Sequence, residues 1–102
     1  MPTSRSRAAE LLGQRVREAR IALGMSQEDI ANLADMHVTN YGRVERGEAN
    51  SELHTIVRIA TALDKDPGEL MAGLYGTDML PDRSRAYSVA DFIAARREHE
   101  SH

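Results

Sequence analysis

The chain has 102 residues, enough for one domain with a short appendage but not for two full domains. It has no cysteine, which excludes disulfide frameworks, thiolate zinc sites and cysteine nucleophiles, and no apolar run approaches the length of a membrane span. The net charge of −3 is unusual for a nucleic-acid-binding protein. Residues 1–47 hold seven arginines against six acids (+1), whereas residues 48–102 hold six basic and ten acidic residues (−4), so the first half can still form a basic face.

The first predicted element is a helix over residues 8–23, because Leu12, Val16 and Ala19 recur at helical spacing. Gly24 supplies the left-handed residue that ends it. Residues 1–7 are polar and show no periodicity, so we predict a flexible N-terminal arm.

Two short helices follow. Ser26 and Asp29 have the spacing of a capping box, which predicts that the second helix begins after Ser26. Asp35 lies in a predicted tight turn. The third helix is expected from Val38 to Arg46, with Gly47 as its end.

A fourth helix is predicted over residues 53–63, capped by Asn50 or Ser51. Asp66, followed by a proline, a glycine and a glutamate, gives a strong start signal for a fifth helix. These five helices define a predicted domain over residues 8–74.

The rest of the chain, residues 75–102, is predicted to be a linker followed by a helix from Ser88. Val89, Phe92 and Ile93 form an apolar stripe on this helix. The stripe can pack on a second copy as a dimerisation element or on its own bundle, and the sequence leaves both alternatives open.

The second and third helices together have the pattern of a helix-turn-helix. Two short helices that cross steeply need a small residue at the crossing, which Ala31 provides, and apolar anchors on the second helix, which Tyr41 and Val44 provide. The remaining positions of the third helix face outward, in a row that can enter a major groove. This row consists of Val38, Thr39, Gly42 and Arg43.

Several motifs in this order resemble the phage-repressor and Cro-like helix-turn-helix regulators, also called the xenobiotic-response-element family. The similar stretches are residues 23–31 (LGMSQEDIA), 44–47 (VERG), 59–63 (IATAL) and 67–70 (PGEL), within a match over roughly residues 12–74. The resemblance implies an all-α, five-helix lambda-repressor-like DNA-binding domain, here with an additional C-terminal helix. Members usually work as dimers on paired half-sites.

The resemblance also implies roles for individual residues. Gln27 matches a phosphate- or base-contacting position at the start of the second helix, and Arg20 and Glu45 match a partly buried ion pair. Base contacts are implied for Val38, Thr39 and Arg43, and phosphate contacts for His37 and Arg46, while Asn40 and Gly42 complete the DNA-binding candidates.

Three departures from the family pattern bear on binding. Asp35 and Asp64 stand where glycine is usual, and Asp tolerates the left-handed region at some cost. Gly42 weakens the third helix by about 1 kcal/mol relative to alanine. The loop over residues 48–52 (EANSE) lacks the usual basic residues, so we expect few phosphate contacts and a dependence on dimerisation.

We therefore predict a transcriptional regulator, a repressor or controller, that binds double-stranded DNA as a homodimer on a pseudo-palindromic operator. The alternative is an antitoxin or other interaction module whose residues 75–102 bind a protein partner. No nucleophile–base pair or phosphate loop predicts an enzyme, and no cofactor is expected. His99 and His102 lack further fixed ligands, so no metal site is predicted, and the expected location is cytoplasmic, on the nucleoid.

Overall fold

The structure, a computed structural model, describes residues 5–100, and in that range it contains six α-helices, a short 3₁₀ turn and no β-strand. The helices are α1 (Arg7–Ala22), α2 (Gln27–Leu33), α3 (Val38–Glu45), α4 (Leu53–Ala62), α5 (Pro67–Met71) and α6 (Val89–Glu100). The all-α prediction is confirmed. None of the described helices is long and apolar enough to cross a membrane.

The starts of the helices follow the predicted caps with one exception. Ser26 and Asp29 form the complete capping box of α2, and the Asp66 side chain accepts a hydrogen bond from the Gly68 amide at α5. The prediction for α4 was wrong: its N-cap is Glu52, not Asn50 or Ser51, and no side-chain cap bond forms there.

The first helix begins slightly earlier than predicted. The Ser6 hydroxyl accepts a hydrogen bond from the Ala9 amide at 3.0 Å, and α1 begins at Arg7. The end of the predicted arm therefore belongs to this helix, while residues 1–4 lie outside the described range, as does His102.

The left-handed turns predicted between helices are all present. Gly24 and Gly47 have φ of 70° and 72°, and Asp35 and Asp64 have φ of 56° and 54°. Each residue follows a helix end, where the left-handed conformation directs the chain into the next turn. At Asp35 and Asp64 this conformation strains the backbone, which a glycine would avoid.

Helices α1–α5 surround one apolar core. In the bundle, α1 packs on α3 and α5, α2 packs on α3 and α4, and α4 packs on α5. Removal of the apolar side chains of the core from water supplies the main stabilisation of the bundle. The core consists of Leu12, Val16, Ala19, Ile30, Ala31, Ala34, Tyr41, Val44, Ile56, Ile59, Ala60, Leu63 and Leu70.

Two arginines bind the carbonyl groups left unpaired at helix ends. Arg58 of α4 donates from Nε to the Ala34 carbonyl at 2.9 Å, which joins α4 to the end of α2. Arg15 of α1 donates to the Leu70 and Ala72 carbonyls at 2.9 and 2.7 Å, which fixes the end of α5. Each arginine therefore joins two helices of the bundle.

The C-terminal segment extends away from the bundle. Its 3₁₀ turn, Thr77–Met79, packs against α1, but no residue of α6 is buried. The radius of gyration is 17.1 Å and the longest dimension 61 Å, whereas a compact domain of this length has a radius of gyration near ~13 Å. The projecting helix α6, none of whose residues is buried, accounts for the elongation.

Candidate nucleic-acid interface

The helix-turn-helix is held together from behind by its apolar residues. Ile30 and Ala31 of α2 and Tyr41 and Val44 of α3 are all buried in the core. After α2, Asp35 turns the chain with its positive φ, and its amide donates to the Asn32 carbonyl. This places α3 across α2 with the opposite face of α3 turned outward.

The outward face of α3 carries most of the predicted DNA-contacting residues. Val38, Thr39, Asn40 and Arg43 are exposed, and so is His37, the N-cap residue that precedes the helix. Val38 and Thr39 lie in the first turn, and Arg43 follows one turn later on the same side. The row combines an aliphatic group, a hydroxyl and a guanidinium, the groups that recognise thymine methyls, varied base edges and guanine.

Gly42 differs from the prediction. Helical spacing predicts Gly42 on the outer face of α3, but the structure buries it beneath two side chains. A Cβ at this position would lie 3.0 Å from Nη1 of Arg46 and 3.6 Å from Oε1 of Gln27. The long side chains of Arg46 and Gln27 fill the space that a Cβ would take, so Gly42 is covered and Gln27 lies over α3.

The ion pair between Arg20 and Glu45 is present, with bidentate geometry. Arg20 donates from Nε to Oε2 of Glu45 at 2.7 Å and from Nη2 to Oε1 at 3.1 Å. Gln27 donates from Nε2 to the same Oε1 at 2.9 Å, and Arg20 also donates to the Met25 carbonyl. One carboxylate therefore joins α1, α2 and α3.

Burial makes this carboxylate sensitive to its partners. The Glu45 side chain is only 1% exposed. Burial alone would raise the pKa of Glu45, but its interactions with Arg20, Tyr41 and Gln27 outweigh burial and hold the pKa below its usual range. The same pair raises the pKa of Arg20. Both groups are therefore ionised at neutral pH, as a structural pair requires.

Arg46, a predicted phosphate contact, is exposed and lies at the end of α3, where its Nε donates to Oε1 of Glu48 at 2.9 Å. Glu48 also accepts from Nη2 of Arg5 at 3.2 Å. The sequence had indicated only that the loop lacks basic residues, and this shared acid was not predicted. The signal was present, since an acid at position 48 follows Arg46 by two residues across a turn.

Within the part of the chain that the structure describes, no residue of the predicted dimerisation stripe is buried. Val89, Phe92 and Ile93 are exposed, Phe92 at 52%. The Arg96 guanidinium lies 5.3 Å from the centre of the Phe92 ring, a cation–π contact within the helix. The structure does not show the second alternative, in which the stripe packs on its own bundle.

Among residues 5–100, no group of three or more histidine or carboxylate side chains is placed to hold a metal ion. The site has two shared acids: Glu45 accepts from Arg20 and Gln27, and Glu48 accepts from Arg46 and Arg5.

Comparison with known proteins gives a consistent result. A family model described as helix-turn-helix matches residues 16–70, more than half of the chain. The control protein C.BamHI of Bacillus amyloliquefaciens is 40% identical over 62 residues, covering 60% of this chain and 76% of that protein. The control protein C.SmaI of Serratia marcescens is 37% identical over 62 residues, covering 61% and 74%.

A solved structure is also similar. The restriction-modification controller protein C.AhdI from Aeromonas hydrophila aligns with a TM-score of 0.60 at 47% identity. The alignment covers 94% of that chain but 61% of this one. The shared part is the lambda-repressor-like bundle, and more than a third of the present chain has no counterpart in that structure.

Proposed function

The chain belongs to the helix-turn-helix family of DNA-binding transcription regulators, and from this premise we propose that it recognises a specific operator through the outer face of α3. Val38, Thr39 and Arg43 contact base edges in the major groove, and Arg43 supplies the bidentate donor suited to guanine. The observation that supports this most directly is that these three side chains are exposed while Tyr41 and Val44 of the same helix are buried.

Phosphate contacts flank this row. His37 and Asn40 lie at the start of α3 and Arg46 lies at its end. Gln27 uses one amide hydrogen for Glu45, which leaves its second hydrogen for a phosphate or a base. These contacts position α3 in the groove, whereas the base contacts give specificity.

The active form is a homodimer on a pseudo-palindromic operator. Two copies of α3 then lie about 34 Å apart, one turn of B-DNA. The support is the modest charge of the domain, which gives a single copy few phosphate contacts, and the exposed stripe of Val89, Phe92 and Ile93. The location that follows is the cytoplasm, on the nucleoid, and the regulatory outcome is that of a repressor or controller.

A protein partner for residues 75–102 is the second candidate. The observation that favours it is that α6 is exposed along its whole length. Deletion of residues 75–102 separates the two proposals: loss of dimerisation alone supports the α6 dimer, whereas loss of a co-purifying protein supports the partner.

Selection of bound sequences from random DNA tests the proposed function. We expect one enriched motif with two related half-sites about one helical turn apart. Arg43→Ala should weaken binding to this operator by about 1–3 kcal/mol and relax the preference at one base position. Lys65→Ala, which removes a cation near the start of α5, is the control and should bind like the parent. An Arg43→Ala variant with unchanged affinity and motif contradicts the proposal.

A further inference from the structure

Glu48 is fixed to the end of α3 by its backbone. It directly follows Gly47, and its amide donates to the Arg43 carbonyl at 2.9 Å. Its own carbonyl accepts from Nη2 of Arg43 at 3.4 Å. The residue therefore keeps a constant position beside the proposed recognition helix.

The carboxylate of Glu48 is shared by two arginines. Arg46, the C-cap residue of α3, binds Oε1 at 2.9 Å, and Arg5, which precedes α1, binds Oε2 at 3.2 Å. Arg46, with a smaller contribution from Arg5, lowers the pKa of Glu48, so the acid is ionised at neutral pH. Both guanidinium groups belong to side chains that are more than half exposed, so other anions can approach them from solvent.

We propose that Glu48 competes with DNA phosphates for Arg46 and Arg5 and thereby sets the affinity of the protein for DNA and its salt dependence. The proposal rests on the proposed function, since it assumes that α3 faces DNA. A phosphate and a carboxylate both offer oxygens in the geometry that arginine binds bidentately. Glu48 thus occupies the donors that a phosphate would otherwise engage.

The magnitudes favour competition over permanent blockage. Exposed ion pairs stabilise a protein only weakly, so a phosphate can displace Glu48 from either arginine. The displaced carboxylate then lies beside the phosphate and repels it. The three side chains together carry a net charge of +1 with glutamate at position 48 and +2 with glutamine.

Glu48→Gln isolates this charge because it keeps the shape and the backbone bonds of the residue. We expect it to bind an operator duplex and a non-operator duplex about 3–10-fold more tightly at low salt. The plot of log affinity against log salt should become steeper by about 0.9 for each additional phosphate that Arg46 and Arg5 neutralise.

Glu69→Gln is the matched control. It makes the same substitution and the same change in net charge, but Glu69 lies on α5, where it pairs with Lys65. It should leave both the affinity and the slope near those of the parent. Affinities are measured by fluorescence anisotropy between about 50 and about 300 mM salt.

A double-mutant cycle assigns the effect to Arg46. Arg46→Ala should weaken DNA binding more in the Glu48→Gln background than in the parent, because in the parent Arg46 must first give up its ion pair with Glu48 to engage a phosphate. If Glu48→Gln binds less tightly than the parent, or no more tightly than Glu69→Gln, the competition is refuted. If the parent protein binds the operator duplex and the non-operator duplex equally well, the proposed specific function is refuted, while the comparison of variants on the non-operator duplex still tests the role of Glu48. If the parent binds no DNA at all, the proposed function and the competition by Glu48 are both refuted.

Discussion

Gly13 of α1 lies where the backbone of α3 comes closest, and its replacement should destabilise the fold. A Cβ on Gly13 would lie 2.3 Å from the Val44 carbonyl oxygen and 2.7 Å from the Glu45 carbonyl oxygen. These distances are far shorter than van der Waals separation. The obstacle is helical backbone on the other side, which cannot rotate away as a side chain can.

The expected magnitude combines two opposing effects. Alanine in place of glycine inside a helix adds about 1 kcal/mol of stability. Overpacking against fixed neighbours costs typically about 1–3 kcal/mol, and the cost is at the upper end here because both neighbours are backbone. Gly13→Ala should therefore lower the free energy of unfolding by about 2 kcal/mol and the Tm by roughly 8–16 °C.

Gly42→Ala provides a control with the same chemistry and the opposite sign. Its Cβ would meet only the ends of the Arg46 and Gln27 side chains, at 3.0 and 3.6 Å, and both can move. Most of the helix-propensity benefit should remain, about 0.5–1 kcal/mol. Urea unfolding followed by far-UV circular dichroism at two protein concentrations measures both variants. A Gly13→Ala protein as stable as the parent would show that α1 and α3 do not approach each other so closely.

Two further predictions concern a buried charge and a strained turn. Glu45→Gln should cost about 2 kcal/mol at neutral pH, since it removes the charged partner of Arg20. Because the folded-state pKa of Glu45 is lowered, the stability that its charge contributes is present above the unfolded pKa of about 4.3 and is lost as pH falls through the folded pKa. When the unfolding of parent and variant is measured from neutral to acidic pH, the difference between their free energies of unfolding should narrow. A constant difference contradicts this prediction. Asp35→Gly should raise the free energy of unfolding by up to about 1 kcal/mol, because glycine adopts the φ of 56° at this position without strain. The control Asp66→Gly removes a cap residue with negative φ and should destabilise the protein. A loss of stability in Asp35→Gly would exclude backbone strain at Asp35.

The helix-turn-helix could be predicted in detail because local and tertiary requirements coincide there. Ala31 is the small residue that a steep crossing needs, and Tyr41 and Val44 recur at helical spacing, so pattern and packing place them in the same core. Ser26 likewise begins α2 through a local hydrogen bond that needs no distant partner. Local sequence spacing was sufficient to predict the place of these residues in the fold.

Other positions depended on contacts that periodicity does not contain. Gly42 lies on the outer side of α3 by spacing alone, yet Gln27 and Arg46 cover it because their long side chains reach across. Glu52 begins α4 instead of Asn50 or Ser51 because the loop after Gly47 extends further than the local cap preference indicates. The role of Glu48 depended on Arg5, 43 residues away.

The shared carboxylate of Glu45 also determines the angular tolerance of α3. The helix is fixed at this end, and Val38 at the other end is about 10 Å away along the axis. A rotation of about 5° around Glu45 would therefore displace the first turn by about 1 Å, more than the width of the distance range of a good hydrogen bond. The network with Arg20 and Gln27 therefore holds α3 at a defined angle. Under the proposed function, a change that loosens this network should weaken the sequence preference most at the bases nearest Val38 and Thr39.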